Sequence, residues 1–375
     1  MLCRSLSNWV LVGLVTGFSA QAEILDVTQP PFSAAGDGVR NDREAIQKAV
    51  DQAAAKGGGV VLLPAGRTFL SGTIELKSSV TLSIATNAVL RSSLDPSHYP
   101  YPATLGHYHD RGLKLDSKEF SNYPLVYAGS AVMDVKVLGP GTIEIGEKAG
   151  ADSNQQMFLS AVGFFQVNRF ELKGFGIRRG KGIQVQLHDC AEGTVDAVDM
   201  RQPYTEPLKY GTEGLSMEGC RDLKVTNCRI QANDNQITVW STYRDPRAGT
   251  WWKTAAVRAS RNITLLRNAT REVDRNRFLA AGAYGLLFLC WGGDVGDDAA
   301  TEIADIKVEG NSFATSMAVG ALGDDPFRFE HYPSRIRNLS FTNNVLMSPL
   351  GQNRAVFWNA VPVGNLVEDF PASQK

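Results

Sequence analysis

Short runs in which apolar and polar residues alternate recur along this chain from Thr73 onward. Val80-Thr81-Leu82-Ser83-Ile84, Val135-Lys136-Val137-Leu138, Phe170-Glu171-Leu172, Leu223-Lys224-Val225, Ile263-Thr264-Leu265, Ile306-Lys307-Val308 and Leu339-Ser340-Phe341 all carry the pattern. A period of two sets one side of each run against a core, as β-strands require. Gly or Asn follows most of the runs, and Asn227, Asn268, Asn311 and Asn343-Asn344 hold such places. Both residue types tolerate the left-handed backbone of a tight turn. Successive runs lie about 23 to about 43 residues apart, too irregular for ankyrin or leucine-rich repeats. A parallel β-helix accepts that irregularity, because its core needs stacking while its loops are free to bulge outward. The competing antiparallel sandwich should show short hairpins, and Asn-Gly or Asp-Gly turns between close strands are scarce here.

One segment breaks the β pattern. Ala45, Ile46, Ala49, Val50 and Ala53 recur at helical spacing, Asn41 or Asp42 can cap that helix, and Glu44 lies in its first turn. Gly57-Gly58-Gly59 ends it, and a short buried strand follows at Val60-Val61-Leu62-Leu63. A lone amphipathic helix ahead of a long solenoid is expected to cover the open end, where apolar side chains and unpaired backbone would otherwise meet water. The first 22 residues have the form of a secretory signal. Arg4 supplies the positive start, Trp9 to Phe18 is largely apolar but too short to span a bilayer, and Ala20-Gln21-Ala22 fits a cleavage site. The expected organisation is therefore a signal over residues 1–22, cleaved after Ala22, and one domain over residues 23–375. The mature protein is expected to be secreted or periplasmic and monomeric, with no membrane span.

Composition adds limits. In 375 residues, 43% apolar and 21% charged content fits an ordinary soluble protein with a substantial core. The net charge of −1 gives no reason to expect nucleic acid as a partner. Of the five cysteines, Cys3 would leave with the signal, and Cys190, Cys220, Cys228 and Cys290 show no zinc-type spacing. Cys190 in HDC-AEGTV and Cys220 in EGC-RDLKV hold matching places in successive repeats. Either they stack as small buried groups or they pair as a disulfide. His107-Tyr108-His109 alone is too weak a pattern for a metal, so no metal or cofactor is expected.

Candidate chemistry gathers in the stretch Tyr210 to Ser241, which reads as one full turn of the repeat with an acid near each end. Glu213 lies in Gly211-Thr212-Glu213-Gly214 and Asp234 in Asn233-Asp234-Asn235, about 20 residues further on. One repeat returns the chain to the same face one layer up, and neighbouring strands lie about 4.8 Å apart, so two carboxylates can share one groove. Two long loops flank it. Asp95 to Tyr123 carries His109 among other histidines and tyrosines, and Thr242 to Ala256 carries Arg244, Arg247, Trp251, Trp252 and Lys253. Aromatic rings beside Arg and Lys suit stacking on sugars and binding acidic groups; the plain alternative is a loop folding down on its own aromatics.

The segment from Gly36-Asp37-Gly38 through Leu90-Arg91-Ser92 resembles the N-terminal cap and first coils of the pectin lyase-like β-helix superfamily. Val137-Leu138-Gly139-Pro140-Gly141-Thr142-Ile143-Glu144 resembles a turn of glycoside hydrolase family 28, the polygalacturonases and rhamnogalacturonases. The resemblance runs from about Phe32 to about Val345. It implies an all-β fold, a single-stranded right-handed parallel β-helix with an N-terminal capping α-helix. It also implies four catalytic motifs, and three of them are altered here. Asp234 matches the family's general acid, and Glu213 keeps a carboxylate where a water-activating aspartate sits. Asn235 replaces a second aspartate and Tyr284 replaces a histidine. The basic pair that grips galacturonate should fall near Gly320-Ala321-Leu322, where no basic residue stands.

Inverting hydrolysis needs one protonated carboxyl and one carboxylate about 6.5–9.5 Å apart, so Glu213 and Asp234 can suffice. The reading is a glycoside hydrolase acting on an acidic plant or algal polysaccharide or oligosaccharide other than plain polygalacturonate. Asp234 would be the acid and Glu213 the base, Asn235 and Tyr284 would orient substrate or water, and Arg244, Arg247 or Arg328 would replace the missing basic pair. Two alternatives stay open. One is a carbohydrate-binding protein that has lost catalysis. The other is a lyase or epimerase on the same fold, with Arg244, Lys253 or Arg271 neutralising a uronate.

Overall fold

In the computed structural model the alternating runs become strands of three parallel sheets. The structure describes residues 22–99, 122–129, 131–146, 158–178, 183–202, 213–232, 235–241, 259–271, 284–290, 302–314, 317–323, 335–346, 356–359, 363–364 and 367–368. The chain visits the sheets in turn. Leu215–Glu218 lies in sheet C, Arg221–Thr226 in sheet A and Arg229–Gln231 in sheet B, after which Ile237–Trp240 rejoins sheet C beside its predecessor. Repetition builds a 12-stranded sheet A, a 10-stranded sheet B and a 9-stranded sheet C, a right-handed parallel β-helix.

Register makes the core. Leu215 pairs with Ile237 and Met217 with Val239, so equivalent residues stack coil upon coil and all four are fully buried. Sheet A does the same through Leu172, Val195, Val225, Leu265, Val308 and Phe341. One column needs a glycine. The Phe170 ring lies across the place where a Cβ of Gly193 would stand, so any side chain there would displace the ring from its edge-on contact with Phe164.

The corner between sheets A and B refines the expectation about asparagines. The left-handed place after five consecutive sheet A strands is filled by Ala197, Asn227, Arg267, Gly310 and Asn343, with φ between 53° and 63°. Asn227 and Asn343 therefore act as turn residues, but Asn268, Asn311 and Asn344 do not. They sit one residue later and form a hydrogen-bonded ladder. Cys228 N–H donates to Asn268 Oδ1 at 2.9 Å, Asn268 N–H to Asn311 Oδ1 at 2.8 Å, and Asn311 N–H to Asn344 Oδ1 at 2.9 Å. Each side-chain amide also donates to a carbonyl of the preceding coil. Buried backbone that would otherwise lack partners at the corner is satisfied this way.

The helix Arg43–Ala55 forms where its stripe predicts, and Ala45, Ile46, Ala49, Val50 and Ala53 are buried. It stands where a strand of sheet C would lie in the first coil, between Asp37–Asn41 of sheet B and Gly59–Leu63 of sheet A. The Gln47 carboxamide exchanges two hydrogen bonds with the Glu75 peptide, Nε2 to the carbonyl at 3.0 Å and N–H to Oε1 at 2.9 Å. One side chain thus pairs the open edge of sheet C as a neighbouring strand would. The capping differs from expectation. The Asp42 carboxylate does not cap the helix but accepts N–H bonds from Ala35 and Gly36 at 2.7 and 2.9 Å. Asn41 Oδ1 takes the Arg43 N–H at 3.0 Å.

Cys190, Cys220 and Cys228 are buried free thiols. Cys190 and Cys220 stack on successive coils, each Sγ–H directed at carbonyls, with Cys190 reaching Phe164 O at 3.3 Å and Cys220 reaching Leu187 O at 3.5 Å. Of the two readings of this pair, stacking is the one observed. Among the described residues no helix is long and apolar enough to cross a membrane.

Candidate functional site

The turn that leads from sheet B into sheet C brings the candidate residues together. Glu213 lies two residues before Leu215–Glu218, Asn235 two before Ile237–Trp240, and Tyr284 opens Tyr284–Cys290. These are three consecutive coils, stitched by backbone bonds from Gly214 N–H to Asn235 O at 3.0 Å and from Gln236 N–H to Tyr284 O at 2.8 Å. Beneath them two fully buried glutamines lock the turn to sheet B. Gln184 Nε2 donates to Gln231 O at 3.0 Å, and Gln236 exchanges bonds of 2.6 and 2.7 Å with the Ala232 peptide.

On this base Asn235 Nδ2 donates to Glu213 Oε1 at 3.3 Å, while its Oδ1 accepts the Tyr284 N–H at 3.2 Å. The two contacts fix the amide's direction, since a flip would set the amide NH2 against an N–H donor and the oxygen against a carboxylate. Glu213, Asn235 and Tyr284 are all buried. Burial also raises the Tyr284 phenol above its ordinary value, so this group stays neutral and can donate a proton in a hydrogen bond. Asp234, Arg244, Arg247, Trp251, Trp252, Lys253, His109 and Arg328 lie outside the described residues. Tyr99, from the first long loop, is inside them and is structural: it is buried and its hydroxyl donates to Ser93 O at 2.7 Å.

One candidate lies on another face. Arg271, one candidate for neutralising a uronate, sits on the outer face of sheet B in Ala269–Arg271, a different face from Glu213. Sheet C also carries a pair that sequence reasoning missed. His188 and Glu218 are register partners whose Nδ1 and Oε2 lie 3.3 Å apart, and both are buried although they point away from the core. Phe165 stands beside His188, with ring centroids 6.2 Å apart. The signal was present: each residue stands two before a stacked cysteine, His188 before Cys190 and Glu218 before Cys220. Further along the sheet, Met317–Gly323 pairs with Tyr284–Cys290 and sets Gly320 against Leu287 and Leu322 against Leu289. The strand expected to carry a basic pair therefore holds its place in the register, with no basic residue in it.

Residues 30–88 match the family described as rhamnogalacturonase A/epimerase, pectate lyase-like. The exopolygalacturonase of Thermotoga maritima superposes with a TM-score of 0.61 at 14% identity, covering 92% of this chain and 88% of that one. The family 28 exopolygalacturonase of Yersinia enterocolitica gives 0.58 at 15% identity, covering 94% and 77%. Residues 30–88 thus resemble a pectate lyase-like family, and the superpositions show a parallel β-helix fold shared with polygalacturonases. Among curated proteins, the mannuronan C5-epimerase AlgE5 of Azotobacter vinelandii is 46% identical over 66 residues, a stretch that spans 18% of this chain and 6% of that enzyme.

Proposed function

We propose that this chain is an exported polysaccharide-active enzyme, a glycoside hydrolase working through Glu213 and Asp234. The observation that carries the proposal is the hydrogen-bonded line Glu213–Asn235–Tyr284 across three coils at the edge of sheet C. A carboxylate that takes an amide N–H on one oxygen is held as an acceptor and directed, which is what activation of a water requires. Asp234 directly precedes Asn235 and is assigned the general acid. Tyr284, neutral and buried, positions water or a sugar hydroxyl. The substrate class is an acidic polysaccharide, in keeping with the polygalacturonase-like fold.

A uronate epimerase or lyase is the second reading, favoured by the mannuronan epimerase similarity and by the epimerase named in the matching family. The family match covers residues 30–88, the cap and the first coils, and includes none of Glu213, Asn235 or Tyr284. For this reason hydrolysis is preferred.

Incubation with uronic, sulfated and neutral polysaccharides, reading reducing ends and ultraviolet absorption together, separates the two. Hydrolysis yields reducing ends without absorption, and Glu213→Gln or Asp234→Asn should then lower turnover by at least about 100-fold, the usual worth of a general acid or base. Turnover retained in both variants would sink the assignment. Absorbing products would identify a lyase, and inversion at C5 without chain cleavage an epimerase.

A further inference from the structure

The outer face of sheet B carries a line of arginines with no place in the sheet C site. Arg178, Arg201, Gln231 and Arg271 share one register position in four successive strands, and Gly176, Asp199, Arg229 and Ala269 share the position two residues earlier. All point outward, because Ile177, Met200, Ile230 and Thr270 between them point inward and are buried. In the lower part of this strip the charge is satisfied internally. Arg201 engages both oxygens of Asp199, Nε to Oδ1 at 3.1 Å and Nη2 to Oδ2 at 3.0 Å, and Arg178 Nη2 reaches Oδ2 at 3.1 Å.

Two coils further on, the same positions hold Ala269 and Arg271. The guanidinium is kept and a methyl stands where the carboxylate was. Arg229, in register with Ala269 on the preceding strand, adds a second guanidinium. Both arginines are exposed, and among the described residues neither side chain has a hydrogen-bond or ion-pair partner. The chain as a whole carries a net charge of −1, so this concentration of unpaired positive charge belongs to the face and not to the protein at large.

We propose that the face around Ala269 docks a linear polyuronate, one ligand carboxylate taking beside Arg271 the place that Asp199 takes beside Arg201, with Arg229 on the preceding strand as a second cation. The strip's own carboxylate is the template: a planar two-oxygen anion fits the guanidinium fork edge to edge. Strands about 4.8 Å apart repeat on the scale of one pyranose ring, so a polymer lying along the solenoid axis meets successive coils in step. The site uses no residue of the sheet C turn and holds whichever reaction that turn performs. Its effect would be to keep the protein on a polymer between encounters with the groove.

Native electrophoresis of the mature protein through gels cast with polygalacturonate tests this, with retardation against polymer concentration giving an affinity. The double variant Arg229→Gln, Arg271→Gln should bind at least ~10-fold more weakly, the loss expected when a charged hydrogen-bonding group is removed. Ala269→Asp should weaken binding similarly, because its carboxylate would occupy Arg271 as Asp199 occupies Arg201. Lys224→Gln, on the outer face of sheet A, should be retarded like the native protein, and a neutral galactan should retard none of them. The two strip variants change charge by different chemistry on an exposed face, and matching melting curves exclude a shared folding defect. Unchanged retardation of either strip variant overturns the proposal, as does a native protein that polygalacturonate does not retard. Stronger retention by a sulfated galactan overturns the choice of carboxylate.

Discussion

Asn235→Asp places a second carboxylate where an amide now donates to Glu213 at 3.3 Å. The substitution is nearly isosteric, and the new side chain can still accept the Tyr284 N–H through one oxygen, so what changes is charge. Two unit charges about 4 Å apart repel by about 4 kcal/mol at an effective dielectric constant of 20, equivalent to about three pH units of proton affinity. The pair therefore holds one shared proton in the folded state over a range where the unfolded chain has released it. The sign follows from linkage. The native state binds more protons than the unfolded one, so the variant's stability falls as pH rises. It should match the native protein near pH 4, where the shared proton is in place, and fall behind by up to about 4 kcal/mol by about pH 7. Melting temperatures at half-unit pH steps would show a gap that opens with pH, by roughly 5 °C at neutrality. In the double variant Glu213→Gln, Asn235→Asp the amide and carboxylate have simply changed places, so the gap should close. A single variant that parallels the native protein at every pH would refute the reasoning, as would a double variant that keeps the slope.

The remaining predictions concern the scaffold. Asn311→Ala removes the acceptor of the Asn268 N–H and the donor to Leu265 O at a buried corner, and should cost about 3–5 kcal/mol by chemical denaturation. Asn343→Gly, at an exposed left-handed position with φ 56°, should change stability by less than about 0.5 kcal/mol; equal effects at the two asparagines would undo the distinction between ladder and turn. Burial pushes the Cys228 thiol up to about 12 and raises Cys220 well above its ordinary value. Since the thiolate is the reactive form, alkylation at pH 8 followed by peptide mapping should leave Cys190, Cys220 and Cys228 unmodified until the protein unfolds. Rapid native labelling of Cys228 would contradict its packing.

The alternating runs told the architecture because each must bury every second residue, and the five-residue stripe Ala45, Ile46, Ala49, Val50, Ala53 told the helix for the same reason. Much else depends on register, which spacing alone does not give when coils differ in length. Asn268 and Asn227 look equivalent in sequence, each following a strand. The structure separates them by one residue, so one points into the corner and the other turns the chain. Gln47 could not be linked to Glu75 without knowing that a helix stands in for a strand of sheet C. Within the candidate site, the motif alignment set Glu213, Asn235 and Tyr284 in successive coils, and they do meet there. The His188–Glu218 pair follows the same repeat as the stacked cysteines, two residues before each, but only the register brings the two side chains together.

The three outer faces show why a β-helix can separate its functions. Stacking constrains the inward residue of every strand and leaves the outward one free. Sheet A uses that freedom for ion pairs between coils, such as Arg169 with Asp134 at 2.7 Å and Glu302 between Arg261 and Arg337. Sheet B keeps arginines in water, with Arg201, Arg229 and Arg271 exposed. Sheet C is different in kind. Gln186, His188, Ser216, Glu218 and Thr238 alternate with core residues and so point outward, yet all are buried. A polar row hidden on an outer face is expensive unless its groups are held in place, and His188 with Glu218 shows one such arrangement. Low exposure also strengthens every electrostatic contact made there. Under the two proposals, sheet C supplies the shielded face on which Glu213 acts, and the open arginines of sheet B hold the polymer without shielding it.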